Sequence, residues 1–321
     1  MNNLTKSILL ILFVTITSYL IAQTDTTKQY QVAAIGFYNL ENLHDTIFDK
    51  DTNKIMQDDY TPTGDKKWNT EKYKHKLENL SKVIAEMATE VVPDGLALLG
   101  IAEIENKNVV EDLVKTEKLK SRNYQIVHYE SPDKRGIDVG LIYNPNYFKL
   151  KSSKSFPLKI DGDSTFFTRD QLLVSGLLNG EMIHVIVAHW PSRSGGEKKS
   201  DPKRIAAANL GRTIIDSLLT YDSTAKIIYM GDLNDDPTNT SVKKHLKTVD
   251  KPELAKGNVL YNPMESFFKK GIGTLAYRDV WNLFDQLIVS SALVGKDYSS
   301  LKLYNAKVFN KNYLKQTTGQ Y

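Results

Sequence analysis

Cysteine is absent from all 321 residues, which excludes disulfide bridges and a lipid-modified cysteine. An exported chain of this composition must rely on its core or on bound metal. Long apolar runs are scarce. The run from Ile8 to Ile21, about 14 residues, falls short of the roughly 20 that a bilayer span needs. No other segment is apolar enough to span. Low-complexity linkers and short-period repeats are missing, so a single layered domain is the simplest organisation. Charge of either sign is modest: the net value of +4 permits a polyanionic substrate without arguing for one. The doublets Lys66-Lys67, Lys198-Lys199, Lys243-Lys244 and Lys269-Lys270 fall in polar, loop-like stretches and read as solvated surface or as cations lining a phosphate backbone.

What is present begins with a secretory signal over residues 1–22. Lys6 gives a positive start, the Ile8 run an apolar centre, and Leu20-Ile21-Ala22 a cleavage site. The mature domain is expected to cover 23–321, exported to a periplasmic or extracellular space, with no stable membrane association after cleavage. Apolar runs predict strands over Gln31 to Tyr38, Leu96 to Ile104, Gln125 to Tyr129 and Val139 to Tyr143. Leu172 to Leu178 and Met182 to Ala188, joined by Asn179-Gly180, carry the strongest hairpin signal. Further strands are expected near Ile227, Gly273 to Tyr277, Phe284 to Val289 and Leu301 to Val308. Helical spacing runs through Glu71 to Thr89, Val109 to Thr116 and Ala206 to Leu219, the last opened by Asp201-Pro202 as cap and first residue. His44 to Asn69 reads as an ornamented loop.

Chemistry concentrates where apolar runs stop. Gly231-Asp232-Leu233-Asn234-Asp235-Asp236-Pro237 follows Ile227-Ile228-Tyr229-Met230, placing a carboxylate and a carboxamide at the mouth of a buried strand. Two residues apart on extended backbone, Asp232 and Asn234 would point to the same side. A carboxylate that aligns water beside an amide that donates to an oxyanion suits phosphoryl-ester hydrolysis. Turn-forming residues alone would give the same composition.

Four stretches taken together carry a resemblance: Phe37-Tyr38-Asn39-Leu40-Glu41-Asn42, Ile101-Ala102-Glu103-Ile104-Glu105-Asn106, Ala188-His189-Trp190-Pro191-Ser192 and Gly231-Asp232-Leu233-Asn234. In order and spacing the chain resembles the endonuclease/exonuclease/phosphatase superfamily. Ser131-Pro132-Asp133-Lys134-Arg135-Gly136-Ile137-Asp138-Val139 is similar to its secreted bacterial nuclease-like branch. The resemblance implies a four-layered α/β sandwich, with two stacked, mixed, largely antiparallel sheets flanked by helices. It further implies Glu103 as the principal divalent-metal ligand with Asn39 and Glu41 beside it, Mg²⁺ or alternatively Mn²⁺ as the ion, and His189 and Asn234 as donors to the phosphate. Asp232 would hold the attacking water, and Arg135 would clamp a phosphate. Asp138 would support its loop. His44, His75, His128, His184 and His245 are expected in surface or packing roles.

The superfamily closes with a strand bearing an Asp-His pair. Asp285 matches the aspartate upstream of it, but no Asp-His dipeptide occurs in this sequence. The last strand is therefore expected to be lacking, the chain to be a C-terminally truncated member, and its activity to be reduced. A pseudoenzyme is the alternative. The leading expectation is an exported, metal-dependent endonuclease acting on DNA or RNA, with nucleic acid as substrate and no protein partner. A phosphatase or lipid phosphodiesterase on the same scaffold, and a non-catalytic polyanion-binding protein, are the rival readings.

Overall fold

The computed structural model describes residues 30–49, 51, 54, 57–160, 162–277 and 279–315, so the signal expected over 1–22 lies outside the described residues. The chain divides into two units, Met1–Val32 and Ala33–Tyr321. Of the first, the described residues 30–32 are exposed; all that follows concerns the second. No helix among the described residues is long and apolar enough to cross a membrane.

The first half supplies strands β1 (Ala34–Leu43), β2 (Leu96–Ile104), β3 (Gln125–His128) and β4 (Asp138–Tyr143), with helices α1 (Thr70–Glu86) and α2 (Lys107–Val114). These strands form one sheet in the order β1-β2-β4-β3, parallel between β1 and β2 and antiparallel elsewhere. The second half supplies β5 (Phe148–Phe156), β6 (Gln171–Leu178), β7 (Glu181–His189), helix α3 (Glu197–Tyr221), β8 (Ile227–Asp232), β9 (Thr248–Val249), β10 (Leu260–Tyr261) and the short helix α4 (Met264–Phe268). The ribbon strands β11 (Leu275–Tyr277) and β12 (Val280–Asn282) and then β13 (Asp285–Val289) complete it. The larger sheet runs β5-β6-β7-β8-β13-β10-β9, while β11 and β12 form a separate two-stranded ribbon among the described residues.

Period-two alternation explains why the two sheets stack. On β7, Ile183, Val185 and Val187 face the first sheet, whereas Ile186 and Ala188 turn towards α3. On β8, Ile228 and Met230 join the inter-sheet core and Ile227 and Tyr229 the α3 side. The first sheet answers with Phe37, Leu98, Ala102, Val139 and Leu141, and sends Leu99, Ile101 and Ile104 to α1 and α2. Every residue of β2 is buried, as expected of a strand covered on both faces. The result is the expected sandwich of helices, sheet, sheet and helix. At its centre a Cβ on Gly100 would stand 2.5 Å from the Met230 sulfur, so glycine lets the sheets approach.

Helix starts follow local chemistry. Asn69 caps α1 by accepting from the Lys72 amide, and Asn106 caps α2 by accepting from the Val109 amide. Helix α3 departs from expectation: it begins at Glu197 and carries Pro202 inside it, so Asp201 is not its cap. Side chains bind the carbonyls of this first turn instead, Ser200 Oγ donating to Gly196 O and Arg204 Nη2 to Glu197 O. Lys198 and Lys199 accordingly lie on a helix rather than in a loop. Three further differences are corrections. Strand β1 lies over Ala34–Leu43 rather than 31–38. Strand β5 carries too many lysines and serines to read as a strand, a composition that an edge position tolerates. Leu301 to Val308 form no strand, since the segment is tied by isolated bonds such as Leu303 N–H to Leu293 O (2.8 Å) and not by a ladder.

Candidate functional site

Both sheets end at the same mouth. In the parallel pair β7/β8, His189 is the register partner of Asp232; in the antiparallel pair β8/β13, Asp232 faces Asp285. Three polar side chains from three adjacent strands thus stand side by side. A Cβ on Gly231 would lie 1.9 Å from the Ala188 carbonyl oxygen, so only glycine lets the chain deliver Asp232 at this point.

The opposite sheet contributes through irregularity. Its register shifts between Asn39 and Leu43 on β1 and between Ala102 and Ile104 on β2. Glu41, Asn42 and Glu103 there hold positive φ values of 54°, 58° and 60°. A bulge re-aims side chains out of the sheet plane, and non-glycine residues persist in this region only where their surroundings fix them. Lys76 from α1 donates to the carbonyls of Glu41 and Asn42, holding the bulged end of β1. Burial lowers the Lys76 ammonium pKa below its ordinary value, while Glu41 and Glu103 oppose that shift.

Five of the expected residues meet. Asn39 Nδ2 donates to Asp232 Oδ2 at 3.0 Å, bridging the two sheets. His189 Nε2 lies 3.8 Å from Glu103 Oε1 and 3.8 Å from Asp232 Oδ2. Arg135 Nη1 stands 3.5 Å from Glu103 Oε1 with its side chain 30% exposed, so it can still turn to a ligand. Glu41 is exposed and stands further out; its backbone N–H donates to Asn39 Oδ1 at 2.9 Å. Asn234 corrects the extended-backbone expectation. Its φ is 49°, and Asp232 Oδ1 accepts from its backbone N–H at 2.9 Å, so the loop closes as a tight turn. The Asn234 amide donates to Trp190 O at 2.9 Å, leaving one further N–H to offer.

Electrostatics set the protonation states. Burial, reinforced by Arg169 and Arg135, pushes the His189 imidazole well below its usual pKa, so it is neutral at pH 7. Its Nδ1 is buried with no hydrogen-bond partner among the described residues, and Nε2 is the nitrogen facing the carboxylates. Burial raises Asp232, against the hydrogen bonds from Asn234 and Asn39, and the Glu103 charge adds to the rise. Asp285 is raised well above the carboxylate range by burial and then by Asp232.

Arg169 and Arg204, both buried and close to this arrangement, escaped sequence reasoning. Arg169, almost fully buried, donates from Nη1 to Asp133 Oδ2 at 2.8 Å and from Nη2 to Trp190 O at 2.6 Å. Asp133 in turn accepts from the Arg135 amide at 2.9 Å, so one ion pair ties the Arg135 loop to the carbonyl that holds Asn234. Nothing local marks Arg169, which sits in the polar run before β6. Trp190 is fixed from its other side by Nε1–H to Tyr229 Oη (2.8 Å) and Tyr229 to Gln171 Oε1 (3.0 Å). The loop beyond Asn234 is pinned by the buried pair Arg204 Nε to Asp235 Oδ1 at 2.7 Å.

Glu103 and Asp232, whose carboxylates both lie 3.8 Å from His189 Nε2, and the Asn39 amide bonded to Asp232 are hard donors of the kind Mg²⁺ takes, with Asp285 the register partner of Asp232. Burial and neighbouring negative charge raise the pKa of two of these carboxyls, Asp232 and Asp285, a strain that a divalent cation would relieve. A separate trio, His128, Glu130 and Asp138, brings ligand atoms within 4.8 Å of one another. Asp138 there accepts from Ser131 N–H and Oγ and lies 2.9 Å from His128 Nε2, so it holds the 131–138 loop. Among the other histidines, His44 is buried and stacked on Tyr60 at 4.2 Å, and His184 pairs with Ser175.

Comparison with known proteins bears on the fold and the family. No curated protein matches the chain significantly. Among solved structures, a humanised D. rerio TDP2 is 14% identical over 82% of this chain and 85% of its own, with TM-score 0.51. A Bacteroides thetaiotaomicron mannosyl-6-phosphatase is 16% identical over 81% and 85%, with TM-score 0.50. At such identities the likeness concerns the fold. The family model described as Endonuclease/Exonuclease/phosphatase family matches residues 34–321. The chain therefore belongs to the endonuclease/exonuclease/phosphatase family, whose members are hydrolases of phosphoric esters.

Proposed function

We propose that this chain is an exported, divalent-metal-dependent phosphodiesterase of the nuclease type. The observation that carries the reading is the convergence of Glu103 and Asp232 on His189 Nε2, each at 3.8 Å, with Asn39 joining the sheets across them. Asp232 aligns the attacking water. Both its oxygens are fixed, one by the Asn39 side-chain amide and one by the Asn234 backbone N–H, and its raised pKa makes it a stronger base than a free aspartate. Neutral His189, with its proton on Nε2, donates to a non-bridging phosphate oxygen, and Asn234 offers its remaining N–H beside it. Each such donor is worth about 10²–10³ in rate. Arg135 reaches a neighbouring phosphate with its planar fork. Glu103, with Asn39 and Glu41 nearby, would hold a divalent cation, which would supply Lewis-acid stabilisation of the leaving oxygen.

The test is hydrolysis by the mature protein, with Mg²⁺ or Mn²⁺, of plasmid DNA, RNA, a small phosphodiester and p-nitrophenyl phosphate. Cleavage of diesters that vanishes in Asp232→Asn and in EDTA supports the nuclease reading. Turnover of the monoester alone replaces it with a phosphatase. Salt-dependent DNA binding without turnover, unchanged by Asp232→Ala, replaces it with a polyanion-binding protein. Cell fractionation of the full chain tests export.

A further inference from the structure

The ribbon β11/β12 is the most apolar exposed element near the site. Its register places Leu275 opposite Asn282, Ala276 opposite Trp281 and Tyr277 opposite Val280. Cross-strand partners share a face, so Leu275, Tyr277 and Val280 lie on one side and Trp281 on the other. These four are 46%, 58%, 61% and 47% exposed. A two-stranded ribbon is marginal by itself in water, and this one leaves large apolar side chains unburied on both faces.

Its foot is nevertheless fixed, and fixed to the catalytic loop. Thr274 N–H donates to Asn282 O (2.8 Å), and Asp285 N–H to Thr274 Oγ1 (3.3 Å). Leu233 N–H donates to Phe284 O (2.8 Å), and Leu283 N–H to Asp236 Oδ1 (2.8 Å). Leu233 is the residue between Asp232 and Asn234, so the ribbon is bonded to the segment that carries both. Phe284 is also covered by the Arg193 guanidinium at 4.6 Å. From Trp281 to Asp285 the chain spans at most about 13 Å. An aromatic surface is thus held beside the water-aligning side of the centre, and fixing it in advance reduces what binding must order.

We propose that the β11/β12 ribbon is a stacking platform for unpaired nucleobases flanking the scissile phosphodiester, an inference that rests on the nuclease reading. Aromatic faces accept any base because every base has a π-face. Exposure on both sides lets the ribbon stand between successive bases of a splayed single strand. The tip argues against a lipid surface, since the exposed Asp279, at φ 62°, would lead any insertion with a charge. Division of the apolar residues between two faces likewise leaves no single flat patch of the size that a stable protein interface needs.

Binding of fluorescent oligothymidylate and of an abasic oligomer of equal length and charge, measured by anisotropy in EDTA, separates bases from backbone. The full chain is expected to bind the base-bearing strand about 5- to 100-fold more tightly, the worth of one stacked base. Trp281→Ala and Tyr277→Ala are expected to erase most of that ratio, and Trp281→Phe to keep it. Thermal midpoints of the variants confirm that they fold. Equal affinity for the two oligomers, or alanine variants that keep the ratio, would overturn the proposal. So would Trp281-dependent binding to anionic lipid vesicles, or Trp281-dependent dimerisation in sedimentation, with no base preference. If the base preference holds while methyl p-nitrophenyl phosphate and DNA both resist hydrolysis, the nuclease reading fails and base binding by the ribbon stands.

Discussion

Replacing Arg169 by methionine probes the link between the buried ion pair and the chemistry. Methionine approximates the length of the arginine stem but removes the guanidinium that donates to Asp133 (2.8 Å) and to Trp190 O (2.6 Å). Asp133 is itself 5% exposed, so its carboxylate would be left buried without this partner. Breaking a buried pair from one side costs about 3–5 kcal/mol. In a domain of this size that lowers the thermal midpoint by roughly 5–15 °C. The catalytic effect has a separate route. Trp190 O anchors Asn234 and Asp133 anchors the Arg135 loop, so both groups proposed to bind phosphate lose their support together. A loosened donor forfeits part of the 10²–10³ that a placed one supplies. A fall in kcat of about 10- to 100-fold, with KM changed by less than about threefold, is expected on a small phosphodiester. Arg169→Lys keeps the charge but not the fork, and should recover most of the stability while recovering less of kcat. Urea denaturation and steady-state kinetics on the same preparations decide the matter. A methionine variant less than about 1 kcal/mol destabilised, or one with unaltered kcat, would refute the reasoning.

Two further outcomes follow from the carboxylates. Glu103→Gln keeps the shape but removes the negative charge and one of the two oxygen donors of the proposed metal ligand; calorimetric titration should show Mg²⁺ or Mn²⁺ affinity reduced at least tenfold, with the fold retained by circular dichroism. Asp285→Asn removes a charge directly opposite Asp232. Because the folded Asp285 pKa is raised above its unfolded value, the protonated group's contribution to stability is full below about pH 3.9 and is lost as pH rises through the folded value. The metal-free asparagine variant should therefore match the parent near pH 4 and exceed it at pH 8 by at least about 1 kcal/mol, because it has no charge to bury there and none to set against Asp232. Equal stability of the two proteins across that range would remove the raised Asp285 pKa from the account.

The site residues were legible because each stands where an apolar run stops. Val185 to Ala188 before His189, and Ile227 to Met230 before Asp232, mark strand ends by composition alone, and the strand-end mouth is where the structure gathers them. Buried strands such as β2 were legible for the same reason. Edge strand β5 was not, because its lysines face solvent and leave only a faint alternation. The ribbon was half legible: its first strand was expected, its second and its exposure were not.

The sequence by itself determined the layered α/β class and the strand-end placement of Glu103, His189 and Asp232. Those features depend on local periodicity. Tertiary structure alone decided the rest: Asn39 bound to Asp232 across 193 positions of chain, Glu103 turned into the mouth by a bulge, and Asp285 set against Asp232. It also placed Arg169 under the carbonyl that holds Asn234. Register between strands distant in sequence is fixed by how whole faces bury, so no window of neighbouring residues contains it.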